Sequence, residues 1–195
     1  MTVEVRKVGG AALKGLLEEV AALRIAVFRD WPYLYDGCMD YERRYLTPYV
    51  TSENAVVVGA FDGQRLIGAS TGAPLADHAE DFGDALRDAG HDIASTFYCA
   101  ESVLLPTYRG QGVGHAFFDH REAHARDLGF SHSCFCSVIR PADHPARPDA
   151  YRPLDSFWTA RGYRPLAGVN ARFAWRDVGS AEESAKTLRV WMRHL

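Results

Sequence analysis

The segment "PTYRGQGVGHAFF", residues 106–118, sets Arg109 and the glycines at 110, 112 and 114 directly before a run that reads as helix. Glycine has no Cβ, so this backbone can take positive φ and come close to a bound group. The helix behind it offers unpaired N–H groups and a positive dipole end. Arg109 adds a full charge at the mouth. The chemistry open to such a turn is the holding of an anion, most naturally a pyrophosphate. The plainer alternative is a tight strand-to-helix connection that holds nothing. A dinucleotide fingerprint is excluded, because GxGxxG needs a glycine where His115 stands. A P-loop is excluded too, since no Gly-Lys-Ser/Thr follows.

Other candidates are weaker. "HREAH" at 120–124 puts His120 and His124 on one helix face, but Arg121 stands where a zinc protease needs its glutamate. No third ligand is evident, and no metal is expected. Cys38, Cys99, Cys134 and Cys136 form no CxxC pair; Cys134 and Cys136, two apart in an apolar run, read as buried thiols on one strand face.

The chain of 195 residues fits a single domain spanning 1–195, with 47% hydrophobic and 24% charged residues, ordinary for a soluble globular protein. A net charge of −3 supplies no basic field for nucleic acid or anionic membrane. No apolar run approaches a membrane span, and the first residues lack a signal-peptide core, so a cytoplasmic location is expected.

The elements that must position the turn can be read from periodicity. "TVEVRKV" alternates as a strand, and Leu13, Leu16, Leu17, Val20, Leu23 and Val27 follow at helical spacing. "FRDWPYLYDGCMDYERRYLTPYV" reads as an irregular aromatic stretch, with the first helix stopped around Trp31–Pro32. "NAVVVGAF" and "RLIGASTGAPL" flank a glycine turn as a hairpin. "EDFGDALRDAGHD" reads as a short exposed helix or lid-like insertion. "ASTFYCAESVLL" is strand, "GVGHAFFDHREAHARDLGF" helix and "HSCFCSVI" strand. A proline-rich loop leads to a short helix at "LDSFWTARGY" and two late strands. The class is α/β (α+β), a mixed central sheet of about seven strands with helices on both faces. The turn falls at the C-terminal end of its strand, where open α/β sheets place ligands.

"RGQGVG" at 109–114 matches R/Q-x-x-G-x-G/A, and the chain resembles the GNAT superfamily of N-acetyltransferases. "ESVLLPTYRGQGVG" resembles that family's fourth strand and turn, and "FWTARGY" its later helix-to-strand element "LYEKLGF". The order of elements agrees over nearly the whole chain, while the specific motif covers about residues 101–118. The resemblance implies acetyl-CoA as cosubstrate, with Arg109, Gly110, Gln111, Gly112, Val113, Gly114 and His115 around the pyrophosphate. It implies a sheet splayed in the middle, where the free backbone groups of Val103 and Leu104 would pair with pantetheine and one amide would hold the thioester carbonyl.

Glu101, on the same strand face as Val103, takes by this resemblance the place of a base that removes the amine proton; an anchor for the ammonium ion or for a helix stays open beside it. The family's usual acid, a tyrosine, is replaced by Trp158, and its asparagine about seven residues earlier is missing. Indole cannot protonate a thiolate, so the acid is unassigned. Trp31 and Tyr35, in the aromatic stretch on the acceptor side, are candidate walls for a small cationic amine, with core capping as the alternative. Arg140, His144 and Arg152 could instead select a carboxylate. The expected activity is acetyl transfer to a small-molecule amine by direct attack on the thioester. A longer acyl group, or a non-catalytic acyl-CoA-binding module, stays open, as does a homodimer.

Overall fold

The computed structural model describes residues 3–195. In chain order the elements are β1 (Val3–Val8), α1 (Gly10–Phe28), α2 (Met39–Thr51), β2 (Val56–Asp62), β3 (Arg65–Pro74), α3 (Ala79–Asp88), β4 (Thr96–Leu104), α4 (Val113–Asp127), β5 (His132–Val138), α5 (Asp155–Ala160), β6 (Arg164–Arg176) and β7 (Glu183–His194). Seven strands make one mixed sheet in the order β1-β2-β3-β4-β5-β7-β6. Within it only the β4–β5 pair is parallel, and the helix α4 supplies the crossover that a parallel pair requires. Among the described residues no helix is long and apolar enough to cross a membrane.

Strand alternation sorts the side chains between the two faces. Val56, Val58 and Ala60 of β2 pack with Phe117 and Phe118 of α4, while Val57 and Phe61 turn to Val20 and Leu23 of α1. In β5, Cys134 and Cys136 share the face of α3, and Phe135 faces α4 and α5. The paired thiols thus lie buried on one face, as their spacing predicts.

Two segments differ from the sequence expectation. The aromatic stretch is irregular only to Cys38; from Met39 it is helix α2, with Pro48 inside it. Glu42, Leu46 and Tyr49 are buried at spacings of four and three, so one face docks on the sheet and on α1. Packing of that face outweighs the proline, which removes one backbone donor. Nor is α3 an exposed lid. Its Phe82 and Leu86 are buried in the cluster that includes Val169 and Ala171 of β6.

The feature that matters most for function is where β4 and β5 part. They pair only over Thr96–Tyr98 and His132–Cys134, although β4 runs on to Leu104 and β5 to Val138. Opposite the gap, the β3–β4 ladder shifts register between Thr71 and Ala73, a bulge that bends β4 away. Arg121, on the buried face of α4, secures this bend. Its guanidinium donates to the carbonyls of Thr71 and Glu101 at 3.1 and 2.9 Å and to Ser102 Oγ at 2.9 Å.

Candidate active site

The glycine turn sits at the end of β4, as its sequence position requires. After a single 3-10 turn at Pro106–Tyr108, Gly110 and Gly112 take φ of 77° and 83°, and Gly112 caps the N-terminus of α4. A Cβ at either glycine would meet nothing within 4 Å, so both face open space and glycine is needed for its positive φ. Ala116 donates to the Gly112 carbonyl at 3.2 Å and starts the helix, so the amides of Val113, Gly114 and His115 precede its first donor. Arg109 Nε reaches the Leu104 carbonyl at 3.4 Å, and the Gln111 amide folds back on Thr107. His115 lies against the Phe157 ring and turns Nδ1 toward Arg161 at 3.2 Å. Helix-start amides beside two positive-φ glycines with open space at their Cβ positions are chemically suited to a diphosphate.

The peptide groups beside this turn follow from the ladder. Leu105 N–H donates to the Ile67 carbonyl at 3.0 Å, which sets the alternation of hydrogen-bonded pairs along β3 and β4. Ala69–Val103 and Thr71–Glu101 are then hydrogen-bonded pairs. Arg121 agrees, since it reaches the Thr71 and Glu101 carbonyls together only if both lie between the strands. Ser102 and Leu104 therefore turn their N–H and C=O toward the gap. The sequence expectation is corrected at Val103, whose peptide groups belong to β3; its side chain is buried against α1.

Glu101 points to the opposite end of the open edge, into a cavity of about 130 Å³ among Arg24, Phe28, Tyr35, Tyr45, Tyr98 and Trp175. Arg24 stands between two carboxylates. Its Nε donates to Glu42, which is 0% exposed, and its Nη1 lies 2.5 Å from Glu101 Oε1. That second contact is an ion pair by distance without an aligned hydrogen bond. Tyr45 donates to Glu101 Oε2 at 2.6 Å and Tyr35 to Glu42 Oε1 at 2.9 Å. The Arg24 guanidinium also lies 4.0 Å from the Tyr45 ring centroid. Burial opposes charge on Arg24, but Glu101, Tyr45 and Glu42 more than offset it and hold the group well above its usual range. Burial first, then the Glu101 carboxylate, pushes the Tyr45 phenol well above the usual tyrosine range, so it stays protonated. One guanidinium against two carboxylates gives this buried cluster a formal charge of −1.

The two acceptor candidates separate. Tyr35 lines this cavity, whereas Trp31 lies outside its lining, with its ring 5.1 Å from His144 and 5.9 Å from Tyr151 of the proline-rich loop. Arg140 is structural. It clamps Asp177 with two hydrogen bonds of 2.9 and 2.8 Å and donates to the carbonyls of Pro32 and Tyr33. Trp158 is partly buried and packs on Phe135 and Trp191 at the edge of the core. His120 and His124 contact the separate carbonyls of Val5 and Asn54.

Arg24 was legible in principle. It falls in the apolar series Leu17, Val20, Arg24, Phe28 of α1, where a charged residue must be paired to be buried.

The family model described as Acetyltransferase (GNAT) family matches residues 20–152. No curated protein matches the chain. Solved structures share the fold at low identity. A ribosomal-protein-alanine N-acetyltransferase from Brucella melitensis is 10% identical with a TM-score of 0.64, over 98% of this chain and 99% of that one. A GCN5-related N-acetyltransferase from Kribbella flavida is 16% identical with a TM-score of 0.60, over 99% and 98%. A Drosophila melanogaster polyamine N-acetyltransferase, which forms N-acetylagmatine, is 14% identical with a TM-score of 0.60, over 100% of both. With the model spanning most of the chain, and the splayed sheet and glycine turn in place, this protein belongs to the GNAT acetyltransferase family.

Proposed function

We propose that the protein is an acetyl-CoA-dependent N-acetyltransferase acting on a small cationic amine. One observation carries the reading: the edge of β4 left unpaired by β5 runs from the glycine turn at one end to a buried cluster of one arginine and two carboxylates at the other. Acetyl-CoA would supply the activated acetyl group. The amides from Gly110 to His115 would hold its pyrophosphate, with Arg109 beside them. Ser102 and the Leu104 N–H offer backbone groups that an extended amide chain can pair with, as an added strand would.

At the other end, a buried anionic cluster walled by tyrosines attracts an ammonium ion and gives it hydrogen-bond acceptors. Both Glu101 oxygens are engaged, one by Arg24 and one by Tyr45. The route for the amine proton therefore runs through Tyr45. Its hydroxyl accepts a proton from the nitrogen while passing its own to Glu101 Oε2, so no free tyrosinate is needed.

The test is thiol release from acetyl-CoA and from a longer acyl-CoA, each with a panel of primary amines. Amine-dependent release with acetyl-CoA is the expected result. Tight acetyl-CoA binding without release for any amine would leave a binding module in place of an enzyme.

A further inference from the structure

Beside the charged chamber lies a second cavity of about 280 Å³, bounded by α2, the 3-10 turn at Leu75–His78 and β6. The two cavities share Tyr41, Tyr45 and Phe173. A molecule with its nitrogen at Tyr45 and Glu101 thus has space to extend past the Tyr45 ring. The added room is roughly the volume of nine waters, enough for a six-membered ring.

Its chemistry differs from that of the chamber. Tyr41, Tyr45 and Tyr49 repeat every four residues on one face of α2, with ring centroids 6.3 and 5.9 Å apart. His78 continues the run, 6.0 Å from Tyr49 and stacked on it. Phe173 closes the other side. Among the described residues the cavity is lined by one arginine and one aspartate, Arg44 and Asp77, beside the His78 ring, and neither Arg44 nor Asp77 forms an ion pair with a described residue. Their charges cancel. A second ammonium in this cavity would lose to Arg44 what it gains from Asp77, and a carboxylate the reverse, so either charge is desolvated without net attraction. An uncharged flat tail avoids that desolvation and gains the offset and edge contacts that aromatic rings favour.

From the shared walls and this difference in charge, we infer that the larger cavity is an acceptor subsite for an uncharged aromatic tail, so that the preferred substrates are arylalkylamines. The inference rests on the amine-acetylation reading and narrows its substrate class. Chain length matters as well, because the ring must pass Tyr45 before it finds partners; two methylenes between nitrogen and ring suit a side chain of that reach.

The experiment compares kcat/KM for 2-phenylethylamine, propylamine, 1,4-diaminobutane and β-alanine with acetyl-CoA. We expect 2-phenylethylamine to exceed propylamine by at least tenfold, with the diamine and the amino acid below both. Ala55→Phe and Ser52→Phe each put a ring into the cavity and should cut the phenylethylamine-to-propylamine ratio at least fivefold. A ratio does not depend on how much protein is active, so partial misfolding cannot produce this change. Calorimetry without acyl donor should show weaker phenylethylamine binding in the same variants. Arg44→Glu should move the ratio by less than threefold. A wild-type ratio near one, a preference for the diamine, or ratios unmoved by both filling variants overturns the subsite. Failure of every amine to release CoA overturns the enzyme reading and takes the subsite with it, whereas amine turnover without aryl preference sinks the subsite alone.

Discussion

Arg24→Met is the most informative single perturbation. Among the described residues Arg24 is the one cation paired with both Glu42 and Glu101, whose side chains are 0% and 7% exposed. Methionine can fill the aliphatic volume of the arginine stem, so what is lost is chiefly charge. The substitution changes the buried cluster from −1 to −2. Removing one partner of a buried ion pair typically costs about 3–5 kcal/mol, because a charge is left without compensation. The stacking of Arg24 on Tyr45 disappears as well, but it belongs to the same cluster and does not add in full. With a urea m-value of about 3 kcal/mol/M, the midpoint should fall by roughly 1–2 M. Adding Glu42→Gln restores the net charge to −1 and leaves Glu101 its bond from Tyr45. The double variant should recover at least half of the lost stability. Urea unfolding of wild type, both single variants and the double completes the cycle. A loss below about 1 kcal/mol for Arg24→Met, or a double variant no better than the single, would refute the coupled buried cluster and with it the charge argument for a cationic substrate.

The remaining predictions concern the site and its supports. Gly112→Asp places a negative charge in the amide cradle and forces a side chain to φ near 83°, so calorimetry should show acetyl-CoA affinity reduced by at least tenfold. Unchanged affinity in a folded variant ends the cofactor assignment. Glu101→Gln and Tyr45→Phe should each lower kcat by roughly 10²-fold with little change in acetyl-CoA binding, since both interrupt one proton route. A Tyr45→Phe enzyme within threefold of wild type removes the relay. Glu42→Gln makes the cluster neutral and should raise the amine KM by roughly tenfold, the factor carried by about 1.4 kcal/mol of lost attraction. Tyr35→Ala should raise the amine KM, while Trp31→Ala, outside the chamber, should loosen the proline-rich loop to proteolysis and leave KM within threefold. For Asp177, burial alone would raise its pKa, but the Arg140 clamp and then Lys186 pull it below the ordinary value. Its contribution to stability is thus complete above about pH 4 and lost as pH falls through the lower folded value. Asp177→Asn should flatten that acid limb in thermal melts.

The turn and the order of elements were legible because each depends on local chemistry. Glycines at 110 and 112 permit positive φ whatever surrounds them, and alternation in β2 and β5 names its faces in any tertiary setting. The helix α2 was hidden because its signal is split. Proline, glycine and aromatics dominate the segment's composition, whereas the buried series Glu42, Leu46, Tyr49 includes a carboxylate that no apolar count includes. The same carboxylate explains why the Glu101 end of the site was only half visible. Glu101 could be placed on a strand face from its neighbours, but what engages it comes from α1 and α2, far away in sequence.

Paired burial of Arg24 and Glu42 is a single fact distributed over two helices. Each residue alone looks like an exception to an amphipathic pattern, and together they form the charged wall of a chamber. Val103 shows the opposite limit. Its burial was predictable, yet which way its peptide faces depends on ladder phase, set by one bond from Leu105 to Ile67 and confirmed by Arg121. Arg121 is itself an interruption of an apolar series, Val113, Phe117, Arg121, Ala125. Both buried arginines end at the bend of β4, one beneath it and one above, on opposite faces of the sheet. A charged residue inside a helical apolar stripe is therefore a local signal with a distant meaning, because burying it demands partners, and those partners define the place where the sheet opens.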